Sequence, residues 1–468
     1  MNQETAPRFD VVIVGAGISG INAAYRLQTE LPSLSYTILE ARNDIGGTWD
    51  LFKYPGIRSD SDLFTFGFAF NPWKQDNPIA SGDSIQSYVR GTAKEFGIES
   101  HIQYRNRLCA AEWSSSDNQW SLTVDCCANF KTYIARFVVF GTGYYDYNEL
   151  ASKGQVVHPQ FWPQDVDYKD KKIIIIGSGA TAVTLLPKLA EQAKHVIMLQ
   201  RSPTYIMSLS NRSPTRWLSY ILPPRTYHHL QRILWFWTSR LFYPFCRGFP
   251  RFSRWMITRA MRQELPEHIP QDPHFSPRYS PWDQRLCFCP DGDFFRSLQS
   301  GRASVRTDTV KTVNTNGILL NSNECLEADI IITATGLKLQ MAGGATLAVD
   351  GEKVDISTKY LWKGVMMQDL PNALVCRLLR TLQSRQMIAL IPRLEPKEAS
   401  TLGQRKLLNI NATYVAVAER GLPKAGDRGA WQPRDNYVAD LRFARRGNLD
   451  DGLEFIPSPE AEGRSART

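Results

Sequence analysis

Several short runs of consecutive apolar residues punctuate the chain. They are DVVIV (Asp10–Val14), FVVFGTG (Phe137–Gly143), IIII (Ile173–Ile176) and ADIIITATG (Ala328–Gly336). Runs of this kind suit strands buried in parallel sheets, and glycine at their ends suits a chain passing close to a bound group. Two of the runs lead into helical patterns through glycine-rich loops, GAGISG from Gly15 to Gly20 and GSGATA from Gly177 to Ala182. After each helix another strand follows, the first ending on Glu40 and the second, HVIMLQ, ending on Gln200 and Arg201. The alternation in WSLTVD (Trp120–Asp125) predicts an antiparallel strand instead. The pattern predicts an α/β fold with two Rossmann-like dinucleotide-binding domains and a helical insertion. The first domain takes residues 1–147 and returns at 331–468. The second takes 148–210 and 271–330, with the insertion at 211–270. From about Gln383 the chain is charged and irregular, and its tail has the composition of an extended surface segment.

The loop residues have separable jobs. Gly15 permits a tight turn, Gly17 lets the backbone approach a pyrophosphate, Gly20 allows close helix–strand packing, and Glu40 can accept ribose hydroxyls. The helix N-terminus presents its positive end to the phosphates. FAD or NAD fits this first unit. In the second unit Gly177, Gly179, Thr181 and Ala182 repeat the design, but Arg201 replaces the acid. An acid would repel a 2′-phosphate and an arginine can pair with it, so NADPH is favoured over NADH. Arg201 as a solvated charge at a strand end stays open as the alternative.

Charge changes the picture for the insertion. The 468 residues carry a net +9, yet no Asp or Glu occurs between Glu191 and Glu264. That interval mixes arginines with Trp217, Tyr220, Trp235, Phe236, Trp237, Phe242, Tyr243, Phe245, Phe249, Phe252 and Trp255. Two readings follow: a helical subdomain packed over a substrate tunnel, which is favoured, or a peripheral membrane contact through 211–262. No nucleic-acid motif accompanies the charge, so nucleic acid is not an expected partner. The eight cysteines form no C-x-x-C pair and no leader precedes the first strand, which predicts a reducing, cytoplasmic setting. Cys126 and Cys127 are expected on opposite faces of a strand, and Cys287 and Cys289 on one face. The histidine spacing offers no metal site, so none is expected, and no G-x-S-x-G elbow supports a hydrolase.

Between the two units lies GGTWDLFKYPGIRSDSD (Gly46–Asp62). Its Gly46, Gly47, Trp49, Tyr54, Pro55, Gly56 and Asp60 match the spacing G-G-x-W-x-x-x-x-Y-P-G-x-x-x-D. Gly154, His158, Trp162 and Pro163 match G-x-x-x-H-x-x-x-W-P, and YSPWDQRL carries Arg285. These ordered motifs resemble the Baeyer–Villiger flavin monooxygenases, and most of all their ethionamide-activating subgroup, over nearly the whole chain.

The resemblance implies FAD in the first unit, with Gly47, Trp49 and Asp60 near it, and NADPH in the second. NADPH then reduces FAD, and a flavin C4a-peroxide oxygenates a ketone or a sulfur compound. Arg285 is implied as the catalytic cation and Asp60 as its partner, with His158 and Trp162 coupling domain movement to the flavin. Two departures stand out. Ser152 replaces a family phenylalanine, and the family's G-Y-x-N-x-S-W segment is missing after Leu370–Asn372. That excision is expected to uncover an apolar sheet face. It leaves a truncated or spliced pseudoenzyme, binding nucleotide without oxygenating, as the alternative function.

Overall fold

The apolar runs become strands covered on both sides. Val11, Val12 and Ile13 in Arg8–Val14, and Ile174 and Ile175 in Lys172–Ile176, have no exposed surface. Each such side chain contributes about 1.5–3 kcal/mol when buried, which fixes both strands as sheet centres. The computed structural model describes residues 5–147, 156–284, 286–373, 376–408, 413–434 and 436–457.

The first sheet has eight strands. Its parallel part sets Phe130–Phe140, Arg8–Val14, Tyr36–Leu39 and Ile102–Gln103 side by side, with helix Ile18–Glu30 making the crossover. The other half is an antiparallel meander of Arg107–Ser114, Gln119–Asp125 and Phe130–Phe140, beside which Thr346–Val349 pairs parallel to Arg107–Ser114. Trp120, Leu122 and Val124 face the core while Ser121, Thr123 and Asp125 do not, as the alternation predicts.

The second sheet is parallel throughout. Its five strands run in the order Ala303–Thr307, His195–Gln200, Lys172–Ile176, Ile330–Thr333, Val156–Val157. Helix Ala180–Ala190 packs against Asp293–Gln299 over it. Beyond their terminal glycines, the two long apolar runs meet as neighbouring connections between the sheets. Asp146 N donates to Lys338 O at 2.8 Å and Gln340 N to Tyr144 O at 3.1 Å. The Lys338 ammonium also pairs with the buried Asp146 carboxylate at 2.6 Å.

Four expectations need correction. The region from Gln383 is not irregular throughout, because Met387–Pro392 pairs with Leu453–Pro457, and Leu390 and Trp431 join the core of the first sheet. Long-range burial of scattered apolar residues decided this, and no local periodicity announces it. The outermost tail, 458–468, lies outside the described residues.

Cys127 does not continue a strand. The strand ends at Asp125, and Cys127 occupies a turn at φ +59.

The third correction concerns the sheet face after Asn372, which is not bare. Helix Cys376–Arg385 buries Leu378, Leu379 and Leu382, and the buried Asn372 bonds Arg136 O at 3.1 Å and Leu390 N at 3.0 Å.

The insertion forms two consecutive helices, Pro224–Gly248 and Pro250–Glu264, and is only partly packed. Trp235 meets Phe64 at 5.7 Å with tilted rings, and Phe242 packs on the second core. Trp217, Tyr220, Trp237, Tyr243, Phe249, Phe252 and Trp255 are exposed. Aromatic content alone does not say which side of a helix meets the core.

Candidate functional site

The glycine loops adopt the same backbone in both units. Gly15 stands at φ +102 and Gly177 at φ +134, values that L side chains rarely adopt. A methyl on Gly15 would lie 2.7 Å from Gly141 O, and one on Gly177 would lie 2.3 Å from Ala334 O. The glycine-ended strands beside each loop therefore demand glycine there.

Gly17 and Gly179 begin the two helices without a side-chain cap, at φ −79 and φ −81. Neither is crowded: a methyl on Gly17 would meet only Gly47, at 3.5 Å, and one on Gly179 nothing within 4 Å. The first amides of both helices thus lack side-chain acceptors where open space adjoins the backbone, a donor set that fits a pyrophosphate. At Gly20 a methyl would collide with Gly15 O at 1.9 Å, so that position serves packing. Ala182, its counterpart, is fully buried and its unit accommodates the methyl.

A cavity of about 640 Å³ opens from the first loop toward the second unit. Gly15, Gly17, Glu40, Gly47, Trp49 and Asp60 line it, and Thr181 enters from the second helix. Glu40 is buried, accepting from Ala16 N at 2.8 Å and Arg42 N at 3.0 Å. These bonds aim its carboxylate and leave lone pairs for a ribose. Gly177, Gly179, Ala182 and Arg201 lie in the loop, helix and strand end of the second unit and do not line this cavity. Arg201 follows the buried Gln200, which is held by His274 O at 2.7 Å and Thr307 Oγ1 at 2.9 Å. The Arg201 guanidinium reaches the surface and donates to Thr413 Oγ1 at 3.2 Å.

The segment from Tyr54 to Asp60 joins the units physically. Tyr54 is buried and bonds Thr181, and burial pushes its phenol well above the usual range against the opposing pull of that bond. Gly56, at φ +77, faces helix Ala180–Ala190 so closely that a methyl would lie 2.5 Å from Lys188 Cγ and 3.1 Å from Thr184 O. Arg58 forms a two-armed ion pair with Asp293, one arm at 3.3 Å, and only 10% of its side chain is exposed. The Y-P-G segment is thus a docking device, and its Tyr54 also lines the cavity.

His158 lies outside the cavity. Its Nδ1 accepts from Gln160 N at 3.3 Å and its ring bonds the Gly336 backbone, beside the connection between the sheets. Burial holds it below the ordinary imidazole value. Trp162 is half-buried against the second core. Gly154, Ser152 and Arg285 lie outside the described residues.

Sequence reasoning missed Arg42, which lines the cavity, binds Asp50 at 2.9 Å and Gly47 O at 2.6 Å, and lies over the Tyr147 ring at 5.6 Å. It also missed Tyr144, Tyr145 and the Arg58–Asp293 pair. Position two residues beyond Glu40 was the available signal for Arg42, and the others had none. The buried Cys287 and Cys289 do share a strand, and burial pushes the Cys289 thiol up to about 12, which suits core packing better than redox chemistry.

A family model described as flavin-binding monooxygenase-like matches residues 8–375. The chain is 42% identical to the FAD-containing monooxygenase EthA of Mycobacterium tuberculosis, over 492 aligned positions covering 97% of this chain and 99% of that one. Its fold is similar to that of OTEMO, solved in complex with FAD and NADP, with a TM-score of 0.73 at 18% identity over 96% of this chain and 100% of the other. A closed cyclohexanone monooxygenase gives 0.72 at 17% identity over 97% and 100%. With the motif resemblance and the paired nucleotide units, these similarities show that the chain belongs to the flavin-binding monooxygenase-like family.

Proposed function

We propose that the chain is an FAD- and NADPH-dependent monooxygenase of the Baeyer–Villiger type, acting on ketones or soft sulfur compounds. The observation that carries this reading is a cavity whose wall combines the first glycine loop with Thr181 of the second unit's helix. When bound, the cofactors supply the redox chemistry, with NADPH as electron source, one oxygen atom entering the substrate and the other leaving as water.

The chain's own residues bind, orient and shield. The helix beginning at Gly17 holds the FAD pyrophosphate and Glu40 the adenosine ribose, while Gly47 and Trp49 border the same space. Gly179 and Arg201 hold NADPH, the arginine by pairing with its 2′-phosphate. Phe52, Tyr145 and Leu337 give the cavity apolar walls that limit water. Asp60, on that wall, orients the Arg285 guanidinium, which stabilises negative charge developing on the substrate oxygen. His158, bonded to Gly336, links movement of the second unit to the cavity.

The test is Arg285→Ala and Asp60→Ala assayed with a panel of ketones and sulfides. Both variants should keep flavin and its reduction by NADPH while product formation falls by about 100-fold or more. Unchanged product would reject their roles.

A second reading, nucleotide binding without oxygenation, has two observations in its favour. Among the described residues the cavity takes no wall from beyond Gly343, and the alignment to the mycobacterial relative spans 492 positions against 468 residues here, so some positions of the relative face gaps in this chain. NADPH consumption that yields peroxide and no product with every substrate would favour it over the first.

A further inference from the structure

The insertion presents an apolar face that the described chain leaves open to solvent. On helix Pro224–Gly248, Ile233, Trp237 and Leu241 recur at every fourth position and so share one side. Trp237 and Leu241 are 53% and 64% exposed. At about 1.5 Å per residue, the stripe from Ile233 to Phe245 runs about 18 Å.

Rings carry it into the next helix. Phe245 stands 5.8 Å from Phe249 and 6.0 Å from Phe252, and Phe252 stands 5.6 Å from Trp255. At the other end of the insertion Trp217, Tyr220 and Ile221 are also exposed, Tyr220 at 80%. Monomers rarely show so continuous an apolar surface unless something covers it.

Charge selects the occupant. The interval between Glu191 and Glu264 contains no acid. Arg216 and Arg247 are answered from outside it, by Asp76 and Asp283. Arg251, Arg259 and Arg262 stand exposed on the helix that carries Phe252 and Trp255, with Arg259 over the Trp255 ring at 5.8 Å. A second copy docked about a two-fold axis would set the exposed Arg251, Arg259 and Arg262 against their own counterparts, arginine facing arginine. An anionic lipid surface answers both features, because rings and aliphatic side chains enter the headgroup zone while guanidinium groups meet phosphates. Among the described residues no helix is long and apolar enough to cross a membrane, so the contact is lateral.

We propose that the face formed by Trp237, Leu241, Phe252 and Trp255, with Arg251 and Arg259, docks the protein on anionic bilayers.

The test uses the full chain with its cofactors and two kinds of vesicle, phosphatidylcholine alone and phosphatidylcholine with phosphatidylglycerol. Co-sedimentation should be about tenfold stronger on the anionic vesicles and should weaken in high salt. A combined Trp237→Ser, Leu241→Ser, Phe252→Ser and Trp255→Ser variant should lose binding about tenfold while flavin content and melting temperature hold. Arg251→Glu with Arg259→Glu, which spares the apolar face, should abolish the preference for anionic lipid and decides the matter if the serine variant fails to fold. Failure of the wild-type protein to bind either vesicle would overturn the proposal. So would a dimer that the serine substitutions dissolve without any lipid binding.

Discussion

The two glycine-loop units are nearly superposable in logic and differ at the end of their second strand. Gly15 and Gly177 take the same kind of left-handed turn beneath a carbonyl of a glycine-ended strand, and Gly17 and Gly179 start uncapped helices with almost equal backbone angles. At the end of the second strand they part. Glu40 is buried and bonded to the amide of Ala16, within its own loop, whereas Gln200 turns into the sheet and leaves Arg201 outside. Under the proposed function, a shared scaffold holds two dinucleotides and tells them apart through one strand end.

Filling the open space at the two helix starts should separate the units most strongly. Gly17→Leu should lower flavin content by about 10–100-fold while the fold survives, since the position is uncrowded and its φ is ordinary. Gly179→Leu should weaken NADPH by a similar factor and leave the flavin in place. Cofactor content after purification, together with NADPH titration, checks both. If either variant lost both nucleotides equally, the units would not be separate.

A smaller effect should come from Arg201→Ala. The KM for NADPH should rise about tenfold with little change for NADH, as steady-state kinetics with both donors would reveal. Equal loss with the two donors would return Arg201 to the role of a solvated charge.

Docking of the units is probed by Arg58→Met, which leaves Asp293 without its partner in a mostly enclosed site. Stability should fall by about 1–3 kcal/mol, measurable by denaturant unfolding, with NADPH oxidation less well coupled to product. Asp293→Asn should do the same more mildly.

The smallest effect concerns pH. Burial lowers the His158 pKa below its ordinary 6.5, so the unfolded chain takes up a proton more readily than the folded one. Its contribution to stability is complete above pH 6.5 and declines as the pH falls through that value toward the lowered one. His195, His228 and His274 are lowered too, so wild-type protein should lose stability in mild acid overall. In thermal melts across that range His158→Gln should lose less.

What could be read from residues alone follows the range of the forces involved. The strand–glycine–helix units were legible because their signals are local: an apolar run, a φ that requires glycine and a helix within about thirty residues. The WSLTVD strand was legible for the same reason. Gly56 looked like a motif letter, and only the structure brings it against Lys188 and Thr184. The Arg58–Asp293 pair joins distant segments and leaves no periodic trace. Leu390 and Trp431 were misjudged because charged neighbours hid single apolar residues that the first core recruits. The insertion was misjudged in the opposite sense, since its rings suggested packing and seven of the eleven are exposed.

Under the proposed function, flavin and its reductant meet in one cavity fed by both units. Anaerobic addition of NADPH to purified holoprotein tests it most directly. The visible flavin absorbance should bleach in proportion to added NADPH, and Gly179→Leu should slow that bleaching without removing the colour. A colourless protein that free FAD cannot restore, or bound flavin that NADPH leaves oxidised, would contradict the account.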